Sequence, residues 1–593
     1  MMMRASLLCL LAFASTSVSA ESELELAKRE GRYEMINITL SDGTPLSTVF
    51  VLPRGVSFSD VGANVTTVLD RSPYGHDALE LMADLYLPLG MAAVGQDMRG
   101  TENSGGEFSI WHSDAIDGAE TIDYIASQVW SSGTVLSFGA SADGLASFTL
   151  LDSAPKPLDS QFIIWSSSQG YPIIFPGGAY SYNLVDTWMR DTVRPYDVDR
   201  CLEEITDNEK PGDWWEPLNM TIEGGNYDKV TWPTLLWAGW YDIFLVGQLS
   251  AYQGFKDYAA PMNNNDIKIF IDPLGHCQEA GKEFPQHTIA GRSALPFLMS
   301  YDLFASTVNG KEWGNATDEF MPYRSDIKDV TFYVMGSTED GAAGNYWTTL
   351  DAFPKTTPTT LFLNSDGTVS SEAKDAAGAS IGSYKHDPTD PVPSFGGNNL
   401  FMPCGPHDQT PNFVRDDVLL YTSDVFESPV AITGHIKANL KVTSDAIDTD
   451  FFVKLMDVYP TGEHKLLQEG AVRMRNTINK DMIAGEEYDV ELNMWNTSFV
   501  FNTGHSLAVS IASSNYPRFS INPNNGRALS DPEIFSNNVT ATNAIRAGST
   551  VTIPVVRLHD MPRAHVIEEI NDKYAELGQK AVELAELFKG GRR

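Results

Sequence analysis

Between Arg32 and Pro155 two kinds of apolar pattern alternate along the chain. Short runs of β-formers at 47–53 (STVFVLP), 91–100 (MAAVGQDMRG) and 133–139 (GTVLSFG) predict strands. Between them, 77–90 (DALELMADLYLPLG) and 114–130 (DAIDGAETIDYIASQVW) repeat apolar residues every three or four positions, which predicts helices. Strands alternating with helices imply a mostly parallel sheet covered on both faces. Residues 156–228 break the rhythm and are rich in Trp, Tyr, Pro and Gly, as an irregular, partly helical insertion would be. The rhythm resumes with strands at 231–242 (TWPTLLWAGWYD) and 266–276 (DIKIFIDPLGH). After Ser325 short alternating runs recur between turn signals such as SDG and PTGE, which predicts an all-β sandwich or jelly roll. A final amphipathic helix places Ile567, Ile570, Tyr574, Leu577, Ala581 and Leu584 at heptad-like spacing. Such a stripe suits a homodimer seam or packing onto the chain's own body, and its shortness favours the second.

The expected organisation is therefore an α/β core over 33–155 and 229–325, a cap insertion over 156–228, a jelly roll over 326–560 and a terminal helix over 561–593. Residues 1–20 (MMMRASLLCLLAFASTSVSA) join one Arg to an apolar run and then small residues. They read as a signal peptide, so the mature chain is expected to be secreted or periplasmic. No later run reaches the roughly 18 apolar residues a spanning helix needs, and no membrane association is expected.

Composition narrows the functions. The formal charge is −37 over 593 residues, which repels nucleic acid and anionic membranes alike. Past the leader, Cys201, Cys277 and Cys404 allow at most one internal disulfide and leave a spare thiol. No Cys/His cluster has metal-ligand spacing, so neither metal nor cofactor is expected. Asn37, Asn64, Asn219, Asn315, Asn496 and Asn538 lie in N-x-S/T sequons, so a glycoprotein is a further expectation.

The candidate chemistry lies at strand ends. In VLSFGASADGLAS (135–147), Ser141 follows a predicted strand between small residues. A nucleophile elbow needs such neighbours, because the helix after it must pass close to the strand. Gly139 fits G-x-S-x-G, but the second glycine is one place late, at Gly144. A hydroxyl attacks well only with a base to take its proton and an acid to orient that base. Asp242 in AGWYDIF and His276 in IDPLGH follow in the order Ser, Asp, His, each after a predicted strand.

These segments resemble the cocaine esterase-like hydrolases, a group that includes X-Pro dipeptidyl peptidases and α-amino-acid ester hydrolases. Further matches are RSPYG (71–75), GQDMRGTENSGGEF (95–108), YKHDPTDPVPSFGG (384–397) and SSNYPRFSINPNNG (513–526). The resemblance implies an α/β-hydrolase core, a helical cap and a galactose-binding-like jelly roll. It implies Ser141 as nucleophile, His276 as base and Asp242 as orienting acid. Tyr74 and the Ala142 N–H would then form the oxyanion hole. Asp97 and Arg99 in QDMRG read as a bracing pair. The family usually carries an aromatic residue where Ala142 stands, so the pocket here is expected to be reshaped. Tyr171, Tyr180, Trp214 and Trp215 either wall the acyl pocket or form the cap's own small core. Glu203, Glu204 and Asp213 are candidates for holding a substrate amine. A Cys277–Cys201 disulfide is left open. The expected partner is a small ester or amide. The alternatives are a dipeptidyl peptidase, an acylase, or a glycan-binding protein on an inactive scaffold.

Overall fold

A computed structural model describes residues 22–220, 226–259, 267–276, 293–308, 313 and 326–574. The expected leader, Cys277, Asn315 and the helix stripe from Leu577 onward lie outside these residues.

The first sheet comprises β1 (Tyr33–Thr39), β2 (Pro45–Val51), β3 (Val65–Ser72), β4 (Ala92–Asp97) and β5 (Ser131–Ala140). It continues through β6 (Leu158–Ile164), β7 (Thr234–Gly239), β8 (Ile267–Asp272), β9 (Val330–Gly336) and β10 (Tyr346–Leu350). The spatial order is β1-β2-β4-β3-β5-β6-β7-β8-β9-β10. Pairing is parallel from β4 through β9 and antiparallel at both edges. Every residue of β3, β4 and β7 is buried, because helices cover both faces.

The helices of this part are α1 (Leu79–Tyr86), α2 (Asp114–Ala126), α3 (Ala142–Ser153), α4 (Tyr182–Thr192), α5 (Pro195–Asp207), α6 (Leu245–Tyr258) and α7 (Leu295–Val308). Helices α2, α3 and α6 pack on one face. On the other, the Tyr86 ring of α1 meets Tyr301 and Phe304 of α7. Between β6 and β7 the chain leaves the sheet to form the cap, with α4 and α5 as its main helices. Pro195 opens α5 at a position where no helical N–H is needed. Val185, Trp188 and Met189 of α4 and Val198, Cys201 and Ile205 of α5 turn inward at helical spacing.

Two boundaries differ from the sequence reading. The strand β6 falls inside the segment expected to be insertion, yet it pairs with β5 and β7 at the centre of the sheet. Its sequence, LDSQFII, carries three polar residues after its first position, which hid it. Strands β9 and β10 fall inside the expected jelly roll but complete the first sheet.

The remaining strands form a two-layer, all-antiparallel body. One layer holds β11 (Thr357–Leu363), β12 (Val369–Ser370), β13 (Ser380–His386), β15 (Val430–Ser444), β18 (Tyr488–Phe501), β20 (Ala541–Arg546) and β21 (Thr550–Val556). The other orders β14 (Leu419–Thr422), β19 (Ser506–Ala512), β16 (Asp450–Val458) and β17 (His464–Arg473). Much of β15 alternates buried and more exposed positions, as a strand with one covered face does. The two bodies join through a short parallel seam, Phe499 beside Met335 and Val500 beside Gly336. Helix α8 (His565–Lys573) buries Ile567 and Ile570 against α7 and β10, so its described part packs on the chain's own body.

Candidate active site

Ser141 stands between the end of β5 and the start of α3 with φ 59° and ψ −123°. A positive φ is strained for any residue with a Cβ, and it lifts the side chain clear of the sheet. The turn is tight on both sides. A Cβ at Gly139 would lie 2.6 Å from the Asp143 carbonyl oxygen, and one at Gly144 would lie 2.4 Å from Ser166 Cβ. The displaced second glycine is thus the one that lets α3 pass the segment following β6.

Asp242 and His276 come from the loops after β7 and β8. The carboxylate accepts twice: Oδ1 takes the Phe244 N–H at 2.8 Å, and Oδ2 lies 2.6 Å from His276 Nδ1. A carboxylate only accepts, so Nδ1 carries the proton and Nε2 has a free lone pair. That Nε2 is 2.9 Å from Ser141 Oγ. All three residues are buried, with Phe244 edge-on to the imidazole at 5.1 Å between centroids. The Asp242 loop is clamped by the β-sandwich. Asn398 Nδ2 donates to the Asp242 carbonyl at 3.0 Å, Gln468 Nε2 to that of Trp240 at 2.8 Å, and Tyr241 O–H to Leu466 at 2.8 Å.

Tyr74 lies within hydrogen-bonding reach of Ser141. Its oxygen accepts the indole N–H of Trp188 at 2.8 Å. Indole is a donor only, so the phenolic proton is left to point elsewhere. Burial, reinforced by the nearby Asp143 carboxyl, pushes the phenol's pKa well up and keeps that proton in place. The Ala142 N–H, at the first turn of α3, has no carbonyl partner within its helix. Behind the elbow the buried Asp143 feels the charge of Asp70. Burial and Asp70 hold Asp143 well above the ordinary carboxylate range, and burial raises Asp70 to about 7.

A cavity of about 810 Å³, its open mouth included, begins at Ser141 and Ala142. Its wall includes Trp111, Trp188, Phe244 and Leu400. Among the described residues, no charged side chain lines it. Tyr171, Tyr180, Trp214 and Trp215 are absent from this wall. Instead Trp215 packs edge-on to both Trp214 and Tyr171 at 4.6 and 5.4 Å, and Phe175 stacks on Tyr171 and lies tilted against Tyr180. They form the cap's own core. Glu203, Glu204 and Asp213 also lie off the cavity, Glu204 being paired with Arg200 at 2.8 Å. Asp97 and Arg99 do not pair with each other: Asp97 meets His76 at 3.0 Å, and Arg99 grips Asp117 at 2.7 Å. Cys201 is free and buried while Cys404 is disulfide-bonded, so Cys201 is not half of a disulfide. The sequence reading missed Trp188, Phe244 and Leu400. Phe244 stands two residues past Asp242, and that closeness was the one usable signal. Nothing in an apolar stripe distinguishes a cavity wall from a packed core.

The fold and this site define a serine hydrolase with an α/β-hydrolase core and a C-terminal all-β body. The family model of the X-Pro dipeptidyl-peptidase S15 family matches residues 42–200, and that of the X-Pro dipeptidyl-peptidase C-terminal non-catalytic domain matches 326–552. The cocaine esterase of Rhodococcus sp. (strain MB1 Bresler) is 28% identical over 89% of this chain and 100% of its own. An aminopeptidase structure from a marine-sediment Thaumarchaeota archaeon superimposes with TM-score 0.71 at 19% identity, covering 89% of this chain and 97% of that one. An α-amino acid ester hydrolase does so with TM-score 0.64 at 18% identity, covering 92% and 98%. Both structures share the fold. In both its parts the chain resembles the cocaine esterase-like and X-Pro dipeptidyl-peptidase hydrolases.

Proposed function

We propose that this protein is an exported carboxylesterase that works through a covalent acyl-enzyme. His276 Nε2 takes the Ser141 proton as Oγ bonds to the ester carbonyl carbon. The tetrahedral oxyanion is held by the Tyr74 O–H and the Ala142 N–H. The carbon–oxygen bond to the alcohol then breaks, and His276 returns the proton to the departing alcohol. Water repeats the sequence, regenerating Ser141 and releasing a carboxylic acid. Asp242 keeps the imidazole in the productive tautomer and stabilises its charged form.

The carrying observation is the hydrogen-bonded line Asp242–His276–Ser141 at 2.6 and 2.9 Å, opening onto an apolar cavity. Dipeptidyl-peptidase activity is the second reading, favoured by the two family models. A free substrate amine needs a carboxylate partner, and none of the described lining residues supplies one. Ester cleavage is therefore preferred. A panel of p-nitrophenyl esters beside aminoacyl and X-Pro p-nitroanilides tests this, with active sites counted by fluorophosphonate labelling. Esters should be preferred, and Ser141→Ala should lose labelling and at least about 10⁴-fold in kcat. Preference for the anilides would reverse the assignment.

A further inference from the structure

The cavity extends well beyond what binding a carbonyl at Ser141 requires. Ala142, Leu145, Phe148 and Thr149 all line it and share one face of α3. From Ala142 to Thr149 that helix rises roughly 10 Å. Its lining also includes Ser167, Ser168 and Met220.

The polar groups of this arm are turned away from it. Thr149 Oγ1 donates to the Ala146 carbonyl at 2.8 Å, Ser167 Oγ to that of Gln169 at 2.8 Å, and Ser168 Oγ to that of Gly247 at 3.0 Å. Each hydroxyl proton is thus committed to the backbone. With no charged side chain among the described lining residues, a charged or strongly hydrated occupant would lose its water without replacement. The arm includes Ala142, the residue next to Ser141, and the same cavity reaches Ser141 itself, so it is continuous with the position of the scissile carbonyl.

We infer that this arm is an acyl-chain subsite, and that its occupant is the straight aliphatic chain of a medium-length acyl ester. The inference rests on the esterase reading above and specifies its substrate class. Length selects the occupant: the lining follows α3 over a rise of roughly 10 Å, and a lone aromatic ring covers only part of that span. An aliphatic chain gains from each methylene removed from water along the α3 face out to Phe148 and Thr149.

The test is the chain-length profile of p-nitrophenyl esters from acetate to hexadecanoate, with p-nitrophenyl benzoate alongside. For wild type, kcat/KM should rise roughly threefold per methylene to about octanoate and then fall. Thr149→Phe, which fills the far end, should reduce the octanoate-to-acetate ratio at least tenfold. Ala142→Phe, at the near end, should reduce it likewise. Taking ratios within one protein removes differences in folded fraction. Should a variant fail to fold, inhibition of wild type by alkylboronic acids of increasing length makes the same measurement, with affinity rising to the same optimum. A flat profile, or benzoate or acetate as the best ester, overturns the inference while leaving the esterase reading standing. Loss of hydrolysis across all esters, with anilides cleaved, overturns both.

Discussion

At the scale of single residues, the hydroxyl of Tyr74 carries more than its own sequence context reveals. The Trp188 indole occupies one lone pair of its oxygen and burial keeps its proton bound, which supports the proposal that the group donates to the developing oxyanion. Tyr74→Phe removes that donor while preserving the ring's packing against Trp188, whose centroid is 6.2 Å away. It should lower kcat about 10²-fold with little change in KM, since the lost bond forms fully only in the transition state. Steady-state kinetics on a short-chain ester checks this. Gly144 makes a different demand. Because a Cβ there would press on Ser166 at 2.4 Å, Gly144→Ala should destabilise the protein by about 1–3 kcal/mol. It should also displace the elbow, which appears as a lower denaturation midpoint together with slower fluorophosphonate labelling. Tyr74 and Ser141 were legible from short motifs. The reason Gly144 replaces the usual neighbouring position was not, because it depends on which side chain faces α3 from the next strand.

At the scale of elements, the loop after β7 is shaped by two parts of the chain. Its own turn is local: Asp242 Oδ1 accepts the Phe244 N–H two residues on. Its outer side is held from the β-sandwich by Asn398 and Gln468. Asn398→Leu leaves the carbonyls of Trp240 and Asp242 short of a buried donor, at a cost of about 1–3 kcal/mol. The expected result is a lower thermal midpoint and a several-fold fall in kcat with KM nearly unchanged, as suits a residue acting through Asp242 rather than on substrate. Helices α1 and α2 and strands β2, β4, β5, β7 and β8 followed from periodicity. The strand β6 did not, because polar residues inside a central strand imitate a loop, and only its pairing with β5 and β7 identifies it.

At the scale of the whole molecule, the joint between the two bodies carries a buried ionic group. His505, preceding β19, places Nδ1 2.9 Å from Asp457 of β16 and Nε2 2.9 Å from Glu339, which follows β9. Burial opposes the charged imidazole, but the Asp457 and Glu339 carboxylates outweigh it and raise its pKa. A raised folded-state pKa adds stability that is complete below the unfolded value, about 6.5, and is lost as pH rises through the folded value. The stability advantage of wild type over His505→Gln should therefore shrink from about pH 6 upward, as measured by urea midpoints. A constant advantage across that range would refute the assignment. What the sequence by itself determined is the architecture's periodicities, the acidic character and the ordered trio Ser141, Asp242 and His276. These are local or linear properties, set by backbone hydrogen bonding and by alternation of apolar and polar positions. Only the tertiary structure decided that residues 135 and 34 positions apart meet within hydrogen-bonding distance. It also decided which aromatic rings wall the cavity and which fill the cap. Apolar patterning encodes withdrawal from water, and a ring facing a substrate cavity and a ring facing its neighbours satisfy that requirement equally until the chain has folded.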